Sequence, residues 1–214
     1  MQSRSDSDIY LVRHGETAWS RTGQHTGTTD LALTSRGEWQ AQTLHVRLDG
    51  VGFAHVLSSP LKRARRTCEL SGFAQPAIDP DLVEWNYGDY EGRTLQEIHQ
   101  LNPGWMLFRD GCPGGESVMQ LTARVDRVVS RLRSLRARVL VFSSGHVLRA
   151  LTARWLGLPL EIGRTLVLDP AAICVLGYDH NGADSVIRRW NHQPWADDNQ
   201  PTSPEATSTK METP

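Results

Sequence analysis

Residues 8–20 read "DIYLVRHGETAWS". Ile9, Leu11 and Val12 form a short apolar run of the kind that makes a buried strand. Arg13, His14 and Gly15 follow at once, with no turn dipeptide between. Placing a guanidinium and an imidazole at the edge of a core costs desolvation free energy, and something bound there must offset it. From the dipeptide alone, a structural Arg-His pair is the better reading, because short motifs recur by chance. The rest of the chain decides between that pair and a binding site.

Working outward, strand-like and helix-like segments alternate. "TSRGEWQAQTLHVRL" (34–48) puts Trp39, Ala41, Leu44 and Leu48 on one helical face, with Thr34 or Ser35 as N-cap. "AHVLSS" (54–59) reads as a strand ended by Pro60, and "LKRARRTCEL" (61–70) as the next helix. Residues 92–108 predict short helices broken at Pro103-Gly104. From Ser117 a long helix carries Val118, Leu121, Val125, Val128, Leu132 and Leu135 at three- and four-residue steps. "RVLVFSS" (138–144) is the clearest buried strand, and "HVLRALTARWLGL" (146–158) is the helix after it, stopped by Gly157 and Pro159. "AAICVLGYD" and "SVIRRW" are late strands joined by a turn around Asn181-Gly182.

This alternation predicts an α/β fold, a three-layer α/β/α sandwich around a mostly parallel mixed sheet with a small helical excursion. One domain is expected over residues 8–195, after a flexible N-terminus (1–7). Residues 196–214 have no aliphatic side chains beyond alanine and one methionine, and predict a disordered tail. In such sheets ligands bind at the carboxyl ends of strands, where His14, Ser58 and Ser144-Gly145-His146 all fall.

Lysine and arginine total 23 against 24 acids, a net charge of −1, which gives no support to a nucleic-acid or membrane-surface partner. Lys62 and Lys210 are the only lysines, so nearly every cation can fork onto a phosphate or carboxylate. The three cysteines are widely spaced and form neither a disulfide framework nor a zinc pattern. His45, His55, His99, His180 and His192 lack metal-ligand spacing, and no carboxylate cluster suggests a metal, so neither metal nor cofactor is expected. "MQSRSDSD" holds no apolar signal region and no run is long enough to span a bilayer, which makes the cytoplasm the expected compartment.

The segments "RHGETAWS", "SSPLKRARRT", "EWNYGDYEG", "DGCPGGES" and "FSSGHVLRAL" together resemble the histidine phosphatase superfamily, which includes the phosphoglycerate mutases and acid phosphatases. The resemblance runs from about Ile9 to Tyr178. It implies that His14 is the nucleophile that becomes phosphohistidine, that Arg13 and Arg63 grip the phosphoryl oxygens, and that Glu84 protonates the leaving oxygen and later activates water. Ser20 falls where many members carry an asparagine that touches the phosphate. Thr26 and Gly27 would contact substrate through a hydroxyl and the backbone. The chemistry agrees, since phosphoryl transfer needs positive charge around the equatorial oxygens and an in-line nucleophile. Glu16 and Glu91 are nearby alternatives to Glu84, Glu91 reading better as structural because it precedes the turn glycine Gly92, and Glu116 is read equally as a first-turn helix charge favoured by the dipole. Trp85, Tyr87, Tyr90, Trp105 and Phe108 are read equally as pocket wall and as core of the excursion.

The stretch between Glu84 and the last strand motif is short, where mutases carry a long insertion. The expected function is therefore a phosphatase for small phosphorylated metabolites, on a branch shared with acid phosphatases and sugar-bisphosphate phosphatases. A phosphoglycerate mutase, or a non-catalytic phosphometabolite-binding protein of the same fold, is the alternative. One residue departs from the family: Ser144 stands where a second histidine is usual, followed by Gly145 and His146. A hydroxyl cannot carry charge, and losing one preorganised donor costs about 10²–10³ in rate.

Overall fold

Strand β1 (Ile9–Arg13) sends Ile9 and Leu11 to one face of a sheet and Val12 to the other, and all three are buried. A strand covered on both faces reads as a continuous apolar run, which is why this stretch lacks polar alternation. The computed structural model describes residues 7–197. Five further strands complete the sheet: β2 (His55–Ser58), β3 (Ala77–Ile78), β4 (Val139–Ser143), β5 (Ile173–Asp179) and β6 (Asp184–His192). The order is β3-β2-β4-β1-β5-β6; β3, β2, β4 and β1 pair in parallel, and β5 pairs antiparallel with both β1 and β6. The expected mixed, mostly parallel sheet is present.

Helices α2 (Ser35–Leu48) and α3 (Lys62–Leu70) cover one face, where Leu44, Leu48 and Cys68 pack on Val12, Leu140 and Phe142. Helices α6 (Val118–Leu135) and α7 (Gly145–Trp155) cover the other, packing Leu121, Val125, Leu148 and Leu151 on Ile9, Leu11, Val139 and Val141. Thr34 caps α2 through Gly37 N, and Ser117 forms a capping box with Gln120 on α6, so both N-termini lie where the sequence places them. Three short helices, α1 (Ala18–Thr22), α5 (Leu107–Asp110) and α8 (Pro194–Asp197), and α4 (Leu95–Leu101) complete the set. The sequence reading lacks α1, α8 and β3. Each is five residues or fewer, too short for a period to show. Helix α8 ends at Asp197, two residues past the expected domain boundary, and the remaining terminal residues lie outside those described.

The excursion comprises 310 turns at Pro80–Leu82 and Gly88–Tyr90 followed by α4 and α5. Trp85 and Tyr90 are buried core residues, stacked edge-on against Phe108 and Trp105 at 5.3 and 5.0 Å. The parallel β1–β4 pairing continues past the strand end, where His14 N donates to Ser143 O at 2.9 Å. That bond aligns the carboxyl ends of the two central strands. Gly15 lets this corner lie against α2, because a Cβ there would stand 2.3 Å from Gly37 O. Among the described residues no helix is long and apolar enough to cross a membrane.

Candidate active site

At the joint between β1 and β4 a cavity of about 490 Å³ is lined by Arg13, His14, Ser20, Thr26, Glu84, Gly145 and His146, seven of the residues expected from sequence. His25, Tyr87, Trp105, Phe108 and Arg149 complete much of the wall. Tyr87, Trp105 and Phe108 are almost fully buried from outside, so they serve as core and wall at once.

His14 is 4% exposed, and its Nδ1 lies 2.8 Å from the carbonyl oxygen of Gly15. A carbonyl only accepts, so Nδ1 carries the proton and the lone pair sits on Nε2. Burial, then the charges of Arg63 and Arg13, hold its pKa well below the ordinary 6.5. The imidazole is neutral at physiological pH.

Arg13 donates from Nη1 to Leu168 O, and its guanidinium lies flat against Gly145, where a Cβ would meet Nε at 3.3 Å. Arg63 is fully buried. It donates to the carbonyls of Thr29, Thr26 and Gly27, each at 2.9 Å. Desolvation is the main influence lowering both arginines, and Glu84 opposes it. The helical phase read from sequence holds. Thr67, one turn after Arg63, donates to Arg63 O at 2.8 Å and accepts from Gly15 N at 3.0 Å. Arg65 points to solvent, and Arg66 pairs with Glu38 and Glu69.

Three expected residues do not line the cavity: Arg63, Gly27 and Ser144. The Gly27 N–H is taken by both oxygens of Glu91, at 2.9 and 3.1 Å, and its carbonyl accepts from Arg63. Glu91 also holds Thr29 N, the structural role expected of it. Ser20 lines the cavity, while its hydroxyl caps α1 by accepting from Thr17 N and donating to Thr17 O. Thr26 donates its hydroxyl to Gln24 O at 3.2 Å.

Glu84 is buried, and three backbone N–H groups converge on it. Oε1 accepts from Trp85 N and Val147 N at 2.9 and 2.8 Å, and Oε2 accepts from His146 N at 2.9 Å. Two of these donors are the orphan amides of the first turn of α7. The loop that delivers Glu84 is pinned by Arg124, which bonds Asp81 O and Val83 O and pairs with Glu116 at 2.7 Å. Glu116 is thus a structural acid.

Glu84 displaces the residue that would normally cap this helix. Ser144 occupies the N-cap position of α7 but makes no capping bond, and its fully buried Oγ has no partner. Arg13 Nε and Arg63 Nε are likewise buried without partners. Buried polar groups are almost always satisfied, and of these three orphans only Arg13 belongs to the cavity lining. An unpaired buried hydroxyl costs about 1–3 kcal/mol. Ser144→Ala should therefore raise the unfolding free energy of the unliganded protein by about 1 kcal/mol. Denaturant melts of the two proteins check the sign.

His146 carries its ring against the cavity, with Nδ1 at 2.6 Å from the Tyr87 hydroxyl. His25 lies parallel to it, 4° between planes at 6.0 Å. Sequence reasoning missed Arg149, which lines the cavity over Phe108 at 5.1 Å. Its spacing of three residues from His146 on one helix was the available signal. The three cysteines are buried and free. Burial pushes each thiol up to about 12, so none is a thiolate at neutral pH. Among the described residues no group of three or more histidine, cysteine or acidic side chains is arranged to hold a metal.

The mixed α/β sheet thus carries an Arg-His pair at the end of its central strand, backed by a buried arginine and faced by a glutamate. Residues 9–193 match the histidine phosphatase superfamily (branch 1), and the chain belongs to that family. It is 39% identical over 176 residues to an acid phosphatase of Mycobacterium tuberculosis, covering 80% of this chain and 87% of the relative. It is 34% identical to the sedoheptulose 1,7-bisphosphatase of Saccharomyces cerevisiae, over 71% of this chain and 68% of that protein. The same identity holds with a protein of Erwinia tasmaniensis described as "Probable phosphoglycerate mutase GpmB", over 85% and 89% of the two chains. The solved structure of the Rv3214 product from M. tuberculosis superposes with a TM-score of 0.84 at 35% identity, covering 87% of this chain and 98% of that one.

Proposed function

We propose that this protein is a phosphatase that hydrolyses small phosphate monoesters, sugar phosphates among them, through a phosphohistidine formed on His14. The observation that carries this reading is the state of His14: neutral, with Nδ1 tied to Gly15 O, beside the charges of Arg63 and Arg13. Nε2 attacks phosphorus and the ester P–O bond breaks. The leaving oxygen takes a proton from Glu84, which then removes a proton from water as that water breaks the P–N bond. Phosphate leaves and His14 is restored. Arg13 and Arg63 spread positive charge over the equatorial oxygens, so no step calls for a metal. Ser20 and Thr26 line the cavity beside the phosphate. The acid phosphatase and bisphosphatase likenesses support hydrolysis of this substrate class.

The likeness to a mutase keeps a second reading in view. Phosphate release from sugar phosphates and p-nitrophenyl phosphate, assayed with and without chelator, should be equal in the two conditions. It should need no bisphosphoglycerate primer. Isomerised phosphoglycerate appearing only with primer would establish the mutase. Binding of phosphate esters with no turnover on any of them would establish a non-catalytic protein.

A further inference from the structure

We infer that His146 is a catalytic residue of this site, donating a hydrogen bond from Nε2 to the transferring phosphoryl group, and that Tyr87 is the positioning residue that fixes its tautomer. This rests on the phosphatase reading above. Residue 146 begins α7, and its backbone N–H is held by Glu84 Oε2, so the ring and the acid share one anchor. The ring faces the cavity, with His25 parallel on one side and Phe108 at 5.7 Å.

The tautomer follows from satisfying Tyr87. That side chain is 1% exposed, and its hydroxyl reaches Nδ1 at 2.6 Å. A buried phenol proton left without an acceptor would be costly, so the hydroxyl donates and Nδ1 accepts. Burial holds the Tyr87 phenol well above its ordinary pKa, so it keeps that proton. Burial, with Arg149 and His25 next in weight, holds His146 well below 6.5, so the ring is neutral with one proton. With Nδ1 an acceptor, that proton is on Nε2, across the ring from Tyr87. Ser144 offers no comparable donor, being fully buried and outside the cavity lining with a short neutral hydroxyl.

The test is steady-state kinetics on His146→Ala, His146→Gln, Tyr87→Phe and the double variant Tyr87→Phe/His146→Ala, each checked for folding by circular dichroism. His146→Ala should lower kcat by about 10²-fold with KM changed far less, because the bond strengthens as charge develops. His146→Gln, which keeps a neutral donor, should recover part of that loss. Tyr87→Phe should lower kcat by about 10-fold, and this loss should vanish in the His146→Ala background. His146→Ala with wild-type kcat would overturn the inference. So would a Tyr87→Phe loss that persists without His146, since Tyr87 would then be only a wall. If His146→Ala fails to fold, unchanged kcat in both His146→Gln and Tyr87→Phe overturns it equally, and a selective kcat loss in Tyr87→Phe supports it. Acid-quenched wild type incubated with a radiolabelled ester separates the two levels. Labelled His14 with an indifferent His146 sinks only this inference, whereas no label on His14 removes the underlying mechanism.

Discussion

His14→Ala should leave a folded protein whose phosphate release is lower by about 10⁴-fold or more, the scale on which loss of a covalent nucleophile is felt. No neighbour can replace it. Arg13 and Arg63 remain cations, Glu84 is occupied by three backbone donors, and the His146 Nδ1 lone pair accepts from Tyr87. The cost to the fold is about one buried hydrogen bond, on the order of 1 kcal/mol, because only the bond to Gly15 O is lost. The pH dependence has a definite sign. His14 is held neutral in the folded state, with its pKa well below the ordinary 6.5, while the unfolded chain takes up a proton near that value. The unfolded state thus binds more protons below pH about 6.5, and wild-type stability falls as pH drops through that range. His14→Ala should lose less stability between neutral pH and pH about 5. Denaturant melts at the two values check this, and identical slopes would mean that His14 is not buried as a neutral ring. Any fall in kcat/KM centred near pH 6.5 should likewise originate in a group other than His14.

Glu84→Gln should lose about 10³-fold on a sugar phosphate and about 10-fold on p-nitrophenyl phosphate, whose leaving group is stable without a proton. The structure explains why the second loss is not zero. A glutamine has one carbonyl oxygen, which can serve Trp85 N and Val147 N in place of Oε1. Its amide then faces His146 N, where Oε2 now accepts, and sets donor against donor. That frustrates the first turn of α7 and costs about 1–3 kcal/mol. The ratio of the two losses therefore isolates proton transfer from the capping role. Equal losses on both esters would show that Glu84 acts only as the cap of α7.

The order of strands and helices is legible in the amino-acid sequence by itself. The apolar runs at 9–12 and 139–142, and the helical spacing of α2, α6 and α7, encode local periods of two and 3.6 that depend only on near neighbours in the chain. The same local rule places Arg63 and Thr67 on one side of α3, and Thr34 and Ser117 at helix starts. The family motifs place His14 and Glu84, and the cavity contains both. What needs the tertiary structure are the assignments made by partners far apart in sequence. The Gly27 N–H is spent on Glu91, 64 residues on. Ser144 is an N-cap without a bond because Glu84, delivered from another loop, reaches the amides of α7 first. The proton on His146 is placed by Tyr87, 59 residues away. A local sequence pattern states which groups a residue can offer. Which of those groups stays free is decided only when the folded chain brings donors and acceptors within about 3 Å of each other.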